Sequence, residues 1–163
     1  MSNSKNELLE YAIYNGILEE GTKYLSPFAE KEVISREEGI KAIKKLKPET
    51  TIFHQPLYST FDLIDSDEIC YEIKYRDLNS DVYSDDMLSS NKYFTLKEIS
   101  YNQKKKVKYV VVFKDKVARI YDIDAPVERR ITTHRKYTVV DSQYIVENAF
   151  FFNKVNSIQI KYE

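Results

Sequence analysis

The patterning of this 163-residue chain predicts an α/β (α+β) domain with a mixed central β-sheet flanked by helices. Three observations carry that expectation. Apolar residues recur at helical spacing in two early segments and one later one. Between and after them lie apolar runs of strand length. Three Gly and four Pro are too few for a loop-dominated or fibrous fold.

Taken in order, residues 4–20 read as a helix with Leu9, Ala12, Ile13, Gly16 and Ile17 on one face, stopped at Gly21. Ser35-Arg36-Glu37-Glu38 has the form of a capping box opening a second helix. Its apolar face is Ile40, Ile43 and Leu46, and Pro48 ends it. Strands are expected at Thr50–His54, Leu57–Ile64 and Ile69–Arg76, the last two as a hairpin around Asp65-Ser66-Asp67-Glu68. Residues 77–86 read as a polar loop and 87–104 as a third helix. Val107–Phe113 and Val117–Ile123 are two strong strands around Lys114-Asp115-Lys116. Residues 124–136 read as a basic connection, and the tail alternates through Tyr137, Val139, Val140, Tyr144–Phe152, Ile158 and Ile160. Without repeats or a linker, residues 1–163 are expected to form one domain.

Apolar residues at 42% and charged residues at 31% indicate a chain that buries a core. One cysteine, Cys70, excludes an internal disulfide and fits a reducing compartment. It lies in an apolar run and reads as a small buried hydrophobe. No run approaches the roughly 18 apolar residues of a membrane span, so a cytoplasmic protein without membrane contact is expected. The net charge of −1 hides an asymmetry. Residues 1–91 carry 10 Lys and Arg against 18 Asp and Glu, and residues 92–136 carry 13 against 5. An acidic half suited to a metal thus precedes a basic half suited to phosphates.

The chemistry-bearing segment is Asp62 through Lys74. Side chains alternate along a strand, so Glu72 and Lys74 share a face while Tyr71, Ile73 and Tyr75 share the other. Charges on an otherwise apolar strand require partners. Two carboxylates from adjacent strands, with the Ile73 carbonyl between, make an all-oxygen site for Mg²⁺ or Mn²⁺. A lysine beside it can position water or stabilise charge on a phosphate. Parity imposes a condition. An even turn sets Asp62 opposite Tyr71, on the wrong face; a three- or five-residue turn, or a bulge, sets it opposite Glu72. The reading therefore predicts an odd turn or a bulge.

Asp62 followed by Glu72-Ile73-Lys74 resembles the PD-(D/E)xK nuclease superfamily. The ten-residue step from Asp62 to Glu72 is similar to that of its phage junction-resolving endonucleases. The resemblance covers residues 5–125 and implies a restriction-endonuclease-like core. It implies Asp62 and Glu72 as metal ligands with Lys74 as the catalytic lysine. It also implies an acid from the first helix, for which Glu20 is the candidate and Glu10 the weaker alternative. No Pro precedes Asp62; Phe61 stands there.

Nucleic acid, DNA more readily than RNA, is the expected partner, with a homodimer where both strands are cut. Phosphate contacts fall to Lys97, Lys104 and Lys105 on the third helix and its end, and to Arg129, Arg130, Arg135 and Lys136 in the basic connection. The alternative function is a catalytically inactive nuclease-fold module that binds nucleic acid or protein. His54 reads as structural, and no zinc-type spacing or Gly-rich phosphate loop is present.

Overall fold

A computed structural model describes residues 4–137 and 142–163, with the side chains of 134–145 left undescribed. Val139 and Val140 lie outside the described residues.

Helix α1 spans Lys5–Tyr14 and is capped by Ser4. It ends well before residue 20, because Gly16 takes a left-handed φ of 73° and turns the chain away. Helix α2 spans Pro27–Leu46. Its cap is Ser26 with Pro27 in the first turn, so the helix begins a full two turns before the Ser35 box. Ser35 is instead buried in the helix interior.

Strands β1 (Ile52–His54), β2 (Leu63–Asp65) and β3 (Cys70–Arg76) follow. The expected Leu57–Ile64 strand shrinks to three residues, since 55–62 form turns. β4 (Asp85–Ser89) occupies part of the expected loop and the start of the expected third helix. Helix α3 runs Ser90–Asn102, with Ser89 as its cap. β5 (Val107–Phe113) and β6 (Val117–Asp122) form the expected antiparallel hairpin. The basic connection is itself a strand, β7 (Val127–Tyr137), paired with β8 (Ser142–Asn153). β9 (Ile158–Lys161) closes the chain.

Six strands form the central sheet in the order β1-β2-β3-β5-β6-β9. It is mixed: β3 and β5 are parallel and the other pairs antiparallel. β5 is buried along nearly its whole length, as a strand covered on both faces must be. One face packs Leu63, Tyr71, Ile73, Val110 and Val112 against Ala42 and Ile43 of α2. The other packs Cys70, Tyr109, Val111 and Tyr121 against Tyr93, Leu96 and Ile99 of α3, and against Phe150 and Phe152 of a second sheet, β4-β8-β7. Gly39 lets α2 approach closely. A methyl there would meet Ile73 side-chain atoms at 2.8–3.0 Å. The helix is thus seated directly over the residue between Glu72 and Lys74.

Candidate functional site

The β2–β3 turn decides the geometry. Ile64 pairs with Cys70 and Leu63 with Tyr71. Asp65 N–H donates to Ile69 O at 3.0 Å, leaving three residues, 66–68, in the turn. Glu68 takes the left-handed conformation, φ 63°, that such a turn requires. The turn is therefore odd, but the ladder stops at Leu63–Tyr71, and the Asp62 N–H turns to the Tyr71 carbonyl instead of continuing the register to Glu72. Asp65 supports the turn by accepting from Asp67 N–H at 2.9 Å and Ile69 N–H at 3.0 Å. Lys47 and the Tyr71 hydroxyl satisfy its other oxygen at 2.7 and 2.8 Å.

Asp62 lies just beyond the strand with a bent backbone. Its N–H donates to Tyr71 O and its C=O accepts from Gln55 N–H, both at 2.9 Å, so it bridges toward β1 and β3 at once. Its buried carboxylate accepts from Ile73 N–H at 2.8 Å and from Arg36 at 3.4 Å. The N–H and C=O of a strand residue address the same neighbour. The Ile73 carbonyl accordingly faces the Asp62 side. Arg36 is fully buried on α2 and also donates to the carbonyls of Gln55 and Pro56, though its Nε has no partner.

Glu72 is mostly buried, and its Oε2 has no hydrogen-bond partner. Its Oε1 lies 3.4 Å from Lys92 Nζ, in the first turn of α3. Burial, then the nearby Asp62 charge, push its carboxyl up to about 8. Burial also raises Asp62, against the Ile73 N–H and Arg36, which act the other way. A third acid belongs to the group. Glu32 on α2 is raised by burial and by the Asp62 charge, while Arg36, Lys74 and Lys92 act to lower it. Lys74 is exposed on the Glu72 face of β3, and no hydrogen bond or ion pair ties it down among the described residues.

The structure thus gathers Asp62, Glu72 and the Ile73 backbone, with Lys74 beside them, and adds Glu32, Arg36 and Lys92. It does not bring in Glu20, which is exposed in the turns after α1 with no contact to either acid. Glu10 is exposed as well. Helix acid Glu32 was missed because its helix starts earlier than the Ser35 box suggests. Arg36 held the signal: it interrupts the apolar stripe Ala29, Val33, Ala42, Ile43, and a buried guanidinium demands an acid. Lys92 carried no local signal beyond its place on α3.

The expected phosphate contacts are scattered. Lys97 pairs with Asp124 at 2.5 Å, Lys105 approaches Glu68 at 3.9 Å, and Lys104 is exposed past the end of α3. They surround a shallow depression that also takes in Phe94, Tyr101 and Lys106. Arg129 is exposed on β7. Arg130 is held by Asp85 at 2.9 Å and Glu128 at 2.8 Å, over the Phe151 ring. Arg135 and Lys136 lie on β7, but their side chains fall outside the described residues.

The donor set can be tested for a divalent ion. Among the described residues, no three His, Cys, Asp or Glu side chains gather closely enough to cage a metal unaided. Mg²⁺ does not need such a cage, because it keeps several waters and binds through one or two carboxylates. Asp62, Glu72 and the Ile73 carbonyl supply that number of hard oxygens, and the unpartnered Glu72 Oε2 calls for a cation. The residues fit.

No protein-family profile matches the chain, and neither does any curated protein. Among solved structures, it is similar to Hjc of Archaeoglobus fulgidus, a Holliday junction resolvase from an archaeal hyperthermophile. The TM-score is 0.52 at 10% identity, covering 80% of this chain and 92% of that one. At that identity the likeness is one of fold: a mixed sheet flanked by helices, shared with a nuclease.

Proposed function

From a fold shared with a junction resolvase, we propose that this protein is a metal-dependent nuclease that hydrolyses phosphodiester bonds in DNA. The observation that carries the proposal is the buried Asp62 carboxylate, held by the Ile73 N–H at 2.8 Å within electrostatic reach of the mostly buried Glu72, whose Oε2 has no partner. Asp62, Glu72 and the Ile73 carbonyl would hold Mg²⁺ or Mn²⁺. Such an ion, when bound, offsets phosphate charge and lowers the pKa of bound water. Arg36 and the Ile73 N–H orient Asp62. Lys74, exposed on the same strand face, is placed to contact the water or the scissile phosphate. Glu32 borders the group from α2 and replaces Glu20 as its helix acid.

Branched DNA is the first substrate to try, since the similar structure is that of a Holliday junction resolvase. Lys97, Lys104, Lys105, Arg129, Arg130, Arg135 and Lys136 are proposed phosphate contacts. Phe94 and Tyr101, both more than half exposed beside the lysines, could stack on unpaired bases. A homodimer would suit cutting of paired strands.

The test is incubation with plasmid, branched DNA and RNA in Mg²⁺ or Mn²⁺, beside Asp62→Asn and Lys74→Met. Cleavage that needs the metal and both residues is the expected result. Cleavage surviving both substitutions would reject the mechanism. Salt-sensitive binding without cleavage would favour the inactive binding module.

A further inference from the structure

The acid cluster already contains a cation. Lys92 Nζ lies 3.4 Å from Glu72 Oε1 and donates to the Thr60 carbonyl at 3.1 Å. Thr60 stands two residues before Asp62, so the ammonium is fixed between the turn that delivers one acid and the strand that delivers the other. The lysine enters from α3, on the face of the sheet toward which Cys70 and Glu72 point. Its side chain is one-third exposed, so an outward path is open to it.

A divalent ion bound through Glu72 and an ammonium at ion-pair distance from the same carboxylate would repel each other strongly in a partly buried setting. Both cannot hold Glu72 at full strength. We infer that Lys92 is the resident counter-ion of the metal-free cluster and competes with the divalent metal for Glu72. This rests on the nuclease reading and adds to it an ionic latch. Metal uptake releases Lys92, and the freed ammonium, anchored in the first turn of α3, is then available to a phosphate oxygen. Since coupling of this kind is reciprocal, nucleic acid that captures the released lysine strengthens metal binding in turn.

The neighbours set the control. Asp62, Glu72 and Glu32 are the acids facing Lys92, and Arg36 and Lys74 are the other cations near the group. Arg36 is bound to carbonyls, and Lys74 makes no ion pair among the described residues. Among the described residues, Lys92 alone has Glu72 as its ion-pair partner.

The experiment is calorimetric titration of the full chain with Mn²⁺ alone, for wild type, Lys92→Met, Lys92→Arg and Asp62→Asn. Lys92→Met should bind Mn²⁺ about tenfold tighter than wild type, since an opposing charge is gone. Without metal it should melt lower, because three acids lose a counter-ion. Lys92→Arg keeps the charge and should bind no tighter than wild type. Equal or weaker binding by Lys92→Met overturns the inference. Should that variant fail to fold, lysine-directed labelling of wild type with mass-spectrometric readout decides instead. Lys92 labelling should rise on adding Mg²⁺, and constant labelling overturns the latch. Binding that Asp62→Asn leaves intact overturns the nuclease reading and this inference together. Binding lost in Asp62→Asn but unchanged in Lys92→Met overturns the latch alone.

Discussion

Two buried arginine–aspartate pairs, Arg36–Asp62 and Arg119–Asp86, join the central sheet to its surroundings. Arg119 and Asp86 are each about 1% exposed. Arg119 Nη1 donates to Asp86 at 3.2 Å, its Nε to Gln159 at 3.1 Å, and its Nη2 to the carbonyls of Ser80 and Tyr83. It also lies over the Phe113 ring. Asp86 is filled in return by the Tyr121 hydroxyl at 2.5 Å and approached at 3.8 Å by Arg76 Nε, which has no hydrogen-bond partner of its own. Arg36 and Asp62 look similar on a contact map but differ in completion. Their pair is longer, at 3.4 Å, Arg36 Nε is unpartnered, and Asp62 has Glu72 and Glu32 as like-charged neighbours. A well-filled polar network holds a fold together; one whose Glu72 Oε2 and Arg36 Nε lack partners has room for something from outside.

That contrast can be broken by substitution. Asp86→Ala should leave Arg119 buried and uncompensated and cost about 3–5 kcal/mol in chemical denaturation. Asp62→Asn should cost less, about 1–2 kcal/mol, because Arg36 keeps its carbonyl acceptors and the repulsion on Glu72 is relieved, and it should lower metal-dependent cleavage by about 10³-fold or more. If both variants lose stability equally, the two networks are alike and the functional reading of the second fails. A smaller effect is expected from Gly39→Ala. The added methyl must displace Ile73, which should destabilise by about 1–3 kcal/mol and weaken Mn²⁺ binding by shifting the strand that carries Glu72.

The same contrast can be sharpened with pH. Glu72 binds its proton more tightly folded than unfolded, so its contribution is fully present below the ordinary carboxylate range and is lost as pH rises through about 8. Buried His54 runs the other way. Its ring, held near about 4 by burial and by the Arg36 charge, contributes stability above pH 6.5 that is lost as pH falls toward 4. Glu72→Gln should therefore raise the stability of metal-free protein above pH 8 by on the order of 1–3 kcal/mol, with little change near pH 5. A thermal-melt series of both proteins across that range checks the difference, and a flat difference rejects the assignment. Smallest of all, Lys104→Ala with Lys105→Ala should leave melting unchanged and lower the salt slope of DNA binding by about 1–2.

The three acids differ in how far the sequence betrayed them. Glu72 and Lys74 stand on β3, where a period of two ties face to count, whereas Asp62 lies one residue before β2 and meets β3 through its side chain on the Ile73 N–H. The β5–β6 pair was equally plain, because a doubly covered strand leaves a continuous apolar run. Glu32 and Lys92 reach the site from helices 40 and 20 residues from Glu72, and no local pattern encodes the contact. Ser35-Arg36-Glu37-Glu38 shows how local rules mislead: the box is well formed, yet Ser26-Pro27 starts the helix earlier and buries Ser35. β7 was read as a loop because its charges suggested solvent. β7 is an edge strand of its three-stranded sheet, where charged side chains and strand pairing coexist.

The turn at 66–68 also constrains how this chain can change over generations. Inserting or deleting one residue there would turn Leu63 and Ile64 to the opposite sides of the sheet while every hydrophobic residue of β3 stayed in place. Losses or gains of two would be tolerated. Lineages sharing this fold should therefore differ in the length of that turn by even steps only, and an odd step should mark branches in which the β2–β3 pairing has been rebuilt.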